Sequence, residues 1–246
     1  MNLFPDVTLA AELTAVTPIG STWVWTGKLA GEPLSDVTLA VTGAVTGEIV
    51  SANITTGEGR RYFVRPEGSG HVVQEADPAG FPQEMQPRLA GVEEIAVANK
   101  AGAMPRAASA EKLADDGSTI DVLVAYTASA RAAAGGTTAI ANQIALAVTE
   151  ANQGYANSGV IQRLRLVNTV EVTFDESVGF NATLDALTAG SGPFGAVQTL
   201  RNQSNADMVS LWINNASGCG LSWLMQFVSL GCSRTRHTAW CIMGAR

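Results

Sequence analysis

Hydrophobic and polar positions fall into two patterns along the chain. In the first third, Asp6–Val16, Thr22–Leu29, Val37–Val41, Val45–Ala52, Arg61–Val64 and His71–Gln74 are short runs rich in Val, Thr and Trp. Several alternate, as in Trp23-Val24-Trp25-Thr26-Gly27-Lys28-Leu29. Gly and Pro separate them at Pro18-Ile19-Gly20, Gly31-Glu32-Pro33, Gly43, Gly47, Gly57, Gly59, Pro66 and Gly68. Short strands between turn residues predict a small antiparallel sheet or barrel. Pro78, Pro82 and Pro87 close it. Trp23 and Trp25 share one face of their strand, which predicts core packing.

Residues 88–117 read as a linker, Ala-rich and sprinkled with charge, with part of Val92–Asn99 able to form a helical turn. Arg106 stands among small residues in Met104-Pro105-Arg106-Ala107-Ala108, where a protease cuts most easily. The pattern then changes. Thr119–Thr127 (TIDVLVAYT) predicts a buried strand. Gly135-Gly136 breaks the chain, and Thr137 or Thr138 can cap a helix running to about Ser158. Its apolar positions Ile140, Ile144, Ala147, Val148, Ala151 and Tyr155 step by three and four onto one face, and Gly159 stands where a C-cap glycine is wanted. Leu164–Phe174 predicts a strand, Thr183–Ala189 and Gly195–Asn202 short helices, and Asp207–Asn214 another buried strand. Cys219–Met225 is a short apolar segment after Gly218. This order predicts α/β character in the second half and α+β overall: an antiparallel β-rich domain, then a mixed-sheet domain.

Composition narrows the function classes. The net charge is -7, with a pI near 4.8. Residues 1–117 hold 8 Lys/Arg against 15 Asp/Glu, whereas residues 118–246 hold 7 against 7. Neither half offers the basic face that nucleic-acid binding uses to displace counterions. No apolar run reaches the roughly 18 residues a membrane-spanning helix requires. Only three Lys occur, and Met1–Leu13 lacks the pattern of a signal peptide. Two His, His71 and His237, cannot build a three-histidine metal site. The three Cys, Cys219, Cys232 and Cys241, include no C-x-x-C pair.

Taken together, Thr119–Thr127, Ala139–Ser158, Arg163–Phe174, Ala206–Asn214 and Cys219–Met225 resemble, in order and spacing, the N-terminal part of a metzincin-clan zinc endopeptidase. The resemblance is to the secreted bacterial peptidyl-Asp metalloendopeptidases, related to the reprolysins. Trp23-Val24-Trp25-Thr26-Gly27 and Arg61–Pro82 resemble the pro-segment of the same group. The resemblance implies a β-rich pro-domain at 1–87, a linker with the maturation site at 88–117, and a protease domain from 118. It also implies zinc in the intact enzyme, a peptide or protein substrate, and a secreted or periplasmic location. Gly220, Leu221, Ser222, Trp223 and Leu224 would form the edge strand of the substrate cleft, offering backbone groups to an extended peptide. Cys219 and Cys232 would be candidates for a disulfide. Some pro-segments of the clan block the metal with a carboxylate, a part that Glu75 or Asp77 could play; an Asp before Pro is otherwise an ordinary turn residue. A thiol block is excluded, because no Cys precedes residue 219.

The zinc motif of such enzymes is H-E-x-x-H on a helix, two His on one face and a Glu to take the proton of the metal-bound water. The sequence contains no His-Glu pair. Ser233–Arg246 has three Arg and no acid, unlike the residues before it. Read one base earlier, the codons for Trp240–Gly244 give Val, Leu or Met, then Val, then His or Tyr, then His, Tyr or Asn, then Gly. The expectation is a frameshift near Gly231, a protease domain without its zinc helix, no bound zinc and no peptidase activity in residues 1–246. His237 with Cys232 and Cys241 would be a thiolate-rich site lacking a nearby base. His71 reads as a solvated turn histidine. Two further function classes fit parts of the chain: a non-catalytic remnant or binding module that docks on an intact relative, and a β-sandwich adhesion protein. The chain is expected to be monomeric or prone to aggregate, with 118–246 unstable in isolation.

Overall fold

The computed structural model describes residues 1–43, 47–82, 84–89, 119–215, 217–224 and 239–243. Most of the expected linker, Val45, Cys232 and His237 lie outside them. The chain forms two compact units, one from Met1–Phe81 with Ala128–Val160, the other from Pro82–Thr127 with Ile161–Ala245. The fold is α+β, as the sequence pattern predicts.

In the first unit, strands β1 (Asn2–Phe4) and β2 (Val7–Thr8) make a small hairpin. The run Asp6–Val16 is thus divided: its start lies in the hairpin turn and its end in β3 (Ala11–Ile19). Strands β3, β4 (Thr22–Leu29), β5 (Glu32–Thr42), β6 (Ile49–Thr55), β7 (Arg61–Glu67) and β8 (Gly70–Glu75) form a six-stranded antiparallel sheet in sequence order. Pairings Gly27↔Val37, Val37↔Ile54 and Ile54↔Tyr62 put these residues on one face, where Leu3, Phe4, Val7 and Leu9 cover them. Trp25 packs there, but Trp23 is 58% exposed, contrary to the expected core packing of both. The alternation is right; Trp23 lies two residues before Trp25 on the same face, paired with Pro18, and is not among the residues packed in that cluster.

The opposite face carries Thr22, Val24, Thr38, Ala40, Ser51 and Asn53, and is covered by helix α2 (Thr137–Asn157), which follows α1 (Ala128–Ala134). Val24, Ala40, Ala145 and Leu146 pack together. Helix α2 meets the sheet through Asn142, Ala145, Leu146, Glu150 and Gln153 rather than through the more apolar face marked by its periodicity. Its N-cap is Gly136, with no side-chain cap hydrogen bond; Thr137 is the first helical residue rather than the cap. The helix ends at Asn157 with Ser158 as its C-cap, and the next residue, Gly159, has a φ of +71° that favours a residue without a Cβ.

In the second unit, β10 (Thr119–Thr127), β11 (Arg163–Val172), β12 (Met208–Ile213) and β14 (Ala239–Met243) form a sheet of order β11-β10-β12-β14 with parallel pairings throughout. Parallel strands are buried on both faces, hence the unbroken apolar runs of β10 and β12. Helices α3 (Gly179–Ala189) and α4 (Phe194–Gln203) contribute Phe180, Leu184, Leu187, Phe194 and Val197 to a core with Leu123, Ala125, Val209, Leu211 and Ile213. Two short strands, β9 (Arg88–Leu89) and β13 (Trp223–Leu224), pair in parallel apart from this sheet.

Candidate functional site

At the carboxyl ends of β10 and β12, Glu176 joins the two strands. Its carboxylate accepts a hydrogen bond from the Thr127 hydroxyl and another from the Asn214 backbone N–H at 3.0 Å. Asn215 Nδ2 donates to the Glu176 carbonyl at 3.2 Å. The preceding Asp175 caps the turn by accepting from Ser177 N–H at 2.9 Å, and hydrogen bonding from the Ser177 hydroxyl, with that N–H bond, holds its carboxyl below the usual range. Beyond the carboxyl ends of parallel strands is where open α/β sheets bind ligands.

Gly218 and Leu221 are buried, Gly220, Ser222 and Trp223 half-buried, and Leu224 is exposed. Leu221 belongs to the core and Trp223 packs on it. Pro82 and residues 84–89 run along this segment. Met85 packs into the same core, and a Cβ on Gly218 would stand 2.8 Å from the Met85 Cγ and Sδ, so a side chain there would push Met85 aside. Ser222 accepts a backbone hydrogen bond from Arg88 at 2.9 Å, and the Cys219 thiol donates to the Pro82 carbonyl at 2.8 Å.

The Arg88 guanidinium lies 4.3 Å from the Trp223 ring centroid, donates to Asp185 Oδ1 at 2.6 Å and to the Asn181 carbonyl at 3.3 Å. The indole N–H donates to Thr188 Oγ1 at 2.8 Å, which fixes the ring plane. Residues 88–89 were expected as linker; the structure pairs them with Trp223–Leu224 instead, because Arg88 finds a carboxylate and an aromatic face there. Sequence reasoning missed Arg88, Asp185 and Glu176. Arg88 and Asp185 are separated by 97 positions, and no local pattern signals such a pairing.

The remaining candidate residues have local partners. Glu75 receives Arg60 Nε at 2.8 Å and Nη2 at 3.0 Å, and this pairing holds its carboxyl below the usual range. Asp77 Oδ1 accepts from Ala79 N–H at 2.9 Å, a capping role. His71 lies in β8, not in the preceding turn, and its Nε2 accepts the Val50 N–H at 2.9 Å. Cys219 is a free thiol among the described residues, while Cys232 lies outside them. Among the described residues no three His, Cys, Asp or Glu side chains converge to hold a metal ion. No helix described is long and apolar enough to cross a membrane.

The Reprolysin_5 model of metallo-peptidase family M12 matches residues 116–241. A peptidyl-Asp metalloendopeptidase of Stenotrophomonas maltophilia strain R551-3 is 34% identical over 70% of this chain and 41% of its own length. One from strain K279a is 32% identical over 72% of this chain and 41% of its own. The Xanthomonas campestris pv. campestris protein of that name is 32% identical over 78% and 44%. The chain therefore spans about four tenths of the length of the curated relatives it matches. A solved structure described as "Structure of a chaperone-substrate complex" matches 82% of this chain and 28% of that one at 16% identity, with a TM-score of 0.41, too distant to bear on fold or function.

Proposed function

Because the chain belongs to metallo-peptidase family M12, we propose that it is the precursor form of an endopeptidase of the peptidyl-Asp metalloendopeptidase kind, acting on proteins or peptides outside the cytoplasm. The observation that carries this reading is the identity of 32–34% across 70–78% of the chain, which takes in residues before as well as within the family match. Residues 1–87 are the proposed pro-domain, 88–117 the segment cut on maturation, and 118–246 the proposed N-terminal part of the protease domain. Gly220–Leu224 is the proposed strand against which an extended substrate lies.

Family M12 enzymes act with zinc, which supplies a metal-activated water for peptide hydrolysis. The residues of this sequence do not fit that ion. There is no His-Glu pair, and the described residues hold no cluster of three ligands. No hydrolytic step is therefore assigned to them. We extend the proposal accordingly: residues 1–246 hold no stoichiometric zinc and cut no peptide bond, and the codons after Gly231 read in a shifted frame. The basic, acid-free stretch Ser233–Arg246 supports that shift. Metal content after dialysis, casein cleavage with and without a chelator, and resequencing of the locus past residue 230 test it. Chelator-sensitive cleavage by purified 1–246 overturns the claim of inactivity. An unshifted locus without H-E-x-x-H in any frame overturns the frameshift.

A further inference from the structure

The geometry points to His71 as a proton-sensitive clip on the six-stranded sheet. Neutral, it holds the peptide group that joins Ile49 to Val50, and through that group it sets how firmly Asn142 of α2 is gripped; protonated, it lets go. The inference goes beyond the peptidase reading and depends on no part of it.

The clip arises where a ladder fails. Strands β6 and β7 pair from Thr55↔Arg61 as far as Ala52↔Val64. Two residues further along the same register Val50 falls opposite Pro66, which has no N–H to give, and the pairing stops short of it. Pro66 pairs with His71 on β8. The His71 ring reaches across the gap, and its Nε2 accepts the Val50 N–H at 2.9 Å. The other end of that peptide group belongs to the helix: the Ile49 carbonyl accepts from Asn142 Nδ2 at 2.9 Å. One planar unit is thus bonded to a β8 side chain by its N–H and to an α2 side chain by its C=O. Bonds in such a chain polarise and strengthen one another. Asn142 is fully buried and also accepts from the Thr22 and Thr42 hydroxyls, so a change at the Ile49–Val50 peptide reaches the centre of the helix seat.

A ring nitrogen that accepts an N–H carries no proton. Imidazole is the side chain whose charge ordinarily changes between pH 5 and 8. Once protonated, Nε2 is a donor facing a donor, and the Val50 N–H must turn to water. The folded sheet therefore binds the neutral ring, and the clip opens as the pH falls. The charged groups nearest in the fold are Arg65 and Glu67, which flank Pro66 on β7, Glu48 just before β6, and Glu75 at the far end of β8, paired with Arg60. Arg131 of α1 precedes the turn at Gly135, where a Cβ would stand 3.0 Å from the Pro66 carbonyl. These charges are of both signs and do not change the direction of the effect. Glu150, two turns along α2 from Asn142, acts the other way, because burial pushes its carboxyl up and its share of the stabilisation is lost as the pH rises.

The test removes that opposing group. It uses the full chain 1–246 carrying Glu150→Gln, labelled with nitrogen-15 and followed by NMR from pH 5.5 to 8. At pH 8 the His71 ring should carry its proton on Nδ1 and none on Nε2. The Val50 amide and the Asn142 side-chain NH2 should shift with the ring, at one common midpoint. Exchange of the Asn142 NH2, corrected for the intrinsic effect of pH, should be about two- to tenfold faster at pH 5.5 than at pH 8, the loss expected for one hydrogen bond. His71→Gln, whose amide oxygen takes the place of Nε2, should exchange slowly at both pH values, and His71→Phe fast at both. Either variant assigns the ring signals, since His237 is the only other histidine. A proton on Nε2 at pH 8, an Asn142 side chain indifferent to pH, or a His71→Gln chain as pH-sensitive as its parent overturns the inference. If His71→Phe does not fold, the parent and His71→Gln decide between them.

Discussion

Replacing Asn142 by Leu keeps the branched shape of the α2 side chain that faces the sheet and removes its polar atoms. Asn142 is fully buried and bonds to three strands. Its Oδ1 accepts from Thr42 Oγ1 at 2.6 Å and from Thr22 Oγ1 at 3.2 Å; its Nδ2 donates to Ile49 O at 2.9 Å and, more weakly, to Ala40 O at 3.4 Å. In the variant the two hydroxyls still have each other at 2.8 Å, so one of them loses its acceptor, and the Ile49 carbonyl loses its side-chain donor. A buried polar group left without a partner costs about 1–3 kcal/mol, which puts the loss for the two groups at about 2–6 kcal/mol. That is a large share of the roughly 5–15 kcal/mol that holds a domain folded. Urea unfolding of 1–246, followed by tryptophan fluorescence and far-UV circular dichroism, measures it. Thr42→Val in the Asn142→Leu background should cost less than in the unmodified chain, with a coupling of about 1–2 kcal/mol, because the hydroxyl it removes is already short of an acceptor. A loss below about 1 kcal/mol, or strict additivity of the two substitutions, refutes the claim that this amide seats the helix.

The same helix face carries a pH signature. Burial pushes the Glu150 carboxyl above its ordinary range and the charge of Asp36 adds to the rise, while the Asn53 hydrogen bond and Arg61 oppose it. The folded state therefore holds this proton more tightly than the unfolded one, so the stabilisation is full below the ordinary carboxyl pKa and is lost as pH rises through the raised one. Glu150→Gln should stabilise the protein at pH 7 and flatten that slope in urea melts at pH 4 to 8; a steeper slope counts against it. Gly218→Ala should force Met85 aside and speed limited proteolysis within residues 82–89, with an overpacking cost of about 1–3 kcal/mol if Met85 stays. Residues 118–246 alone should melt without cooperativity and scatter light, since α2 then lacks every sheet partner of Asn142, Glu150 and Gln153; a sharp, monodisperse melt refutes this.

What the sequence made legible follows from the range of the interactions. Strands β10 and β12 showed as apolar runs because both of their faces are buried, and α2 showed its length because Gly136 and Gly159 bound it. The face by which α2 meets the sheet did not show. Periodicity finds the most apolar stripe, Ile140, Ile144 and Val148, and passes over a contact built from Asn142, Glu150 and Gln153. Those polar residues are tolerable inside only because Thr22, Thr42, Asn53 and Asp36 face them, and each of those partners is about a hundred positions away. Gly220–Leu224 could be placed as a short apolar segment, yet what lies against it could not, since Arg88 sits in a stretch whose composition reads as linker.

Each compact unit draws on both sides of the proposed cut. The first takes α2 from beyond residue 118; the second takes β9 from before it. A cleavage anywhere in 90–117 leaves the contacts of Asn142 and of Arg88 in place but turns each from an intramolecular contact into an association between fragments. The tether's effective concentration is then lost. The two contacts differ in what they then expose. Departure of 82–89 frees a two-residue strand and a half-exposed seat for a cation, surfaces that water and peptides satisfy readily. Departure of the six-stranded sheet strips a fully buried amide and a half-buried carboxylate on α2, groups that need new partners or a repacked helix. A nicked chain should therefore lose β9 first and keep the β3–β8 sheet on α2 longest. Hydrogen exchange after nicking reports that order: amides of 84–89 should lose protection while those of Ile140–Gln153 keep theirs, and the opposite order would contradict the energetics argued for both contacts.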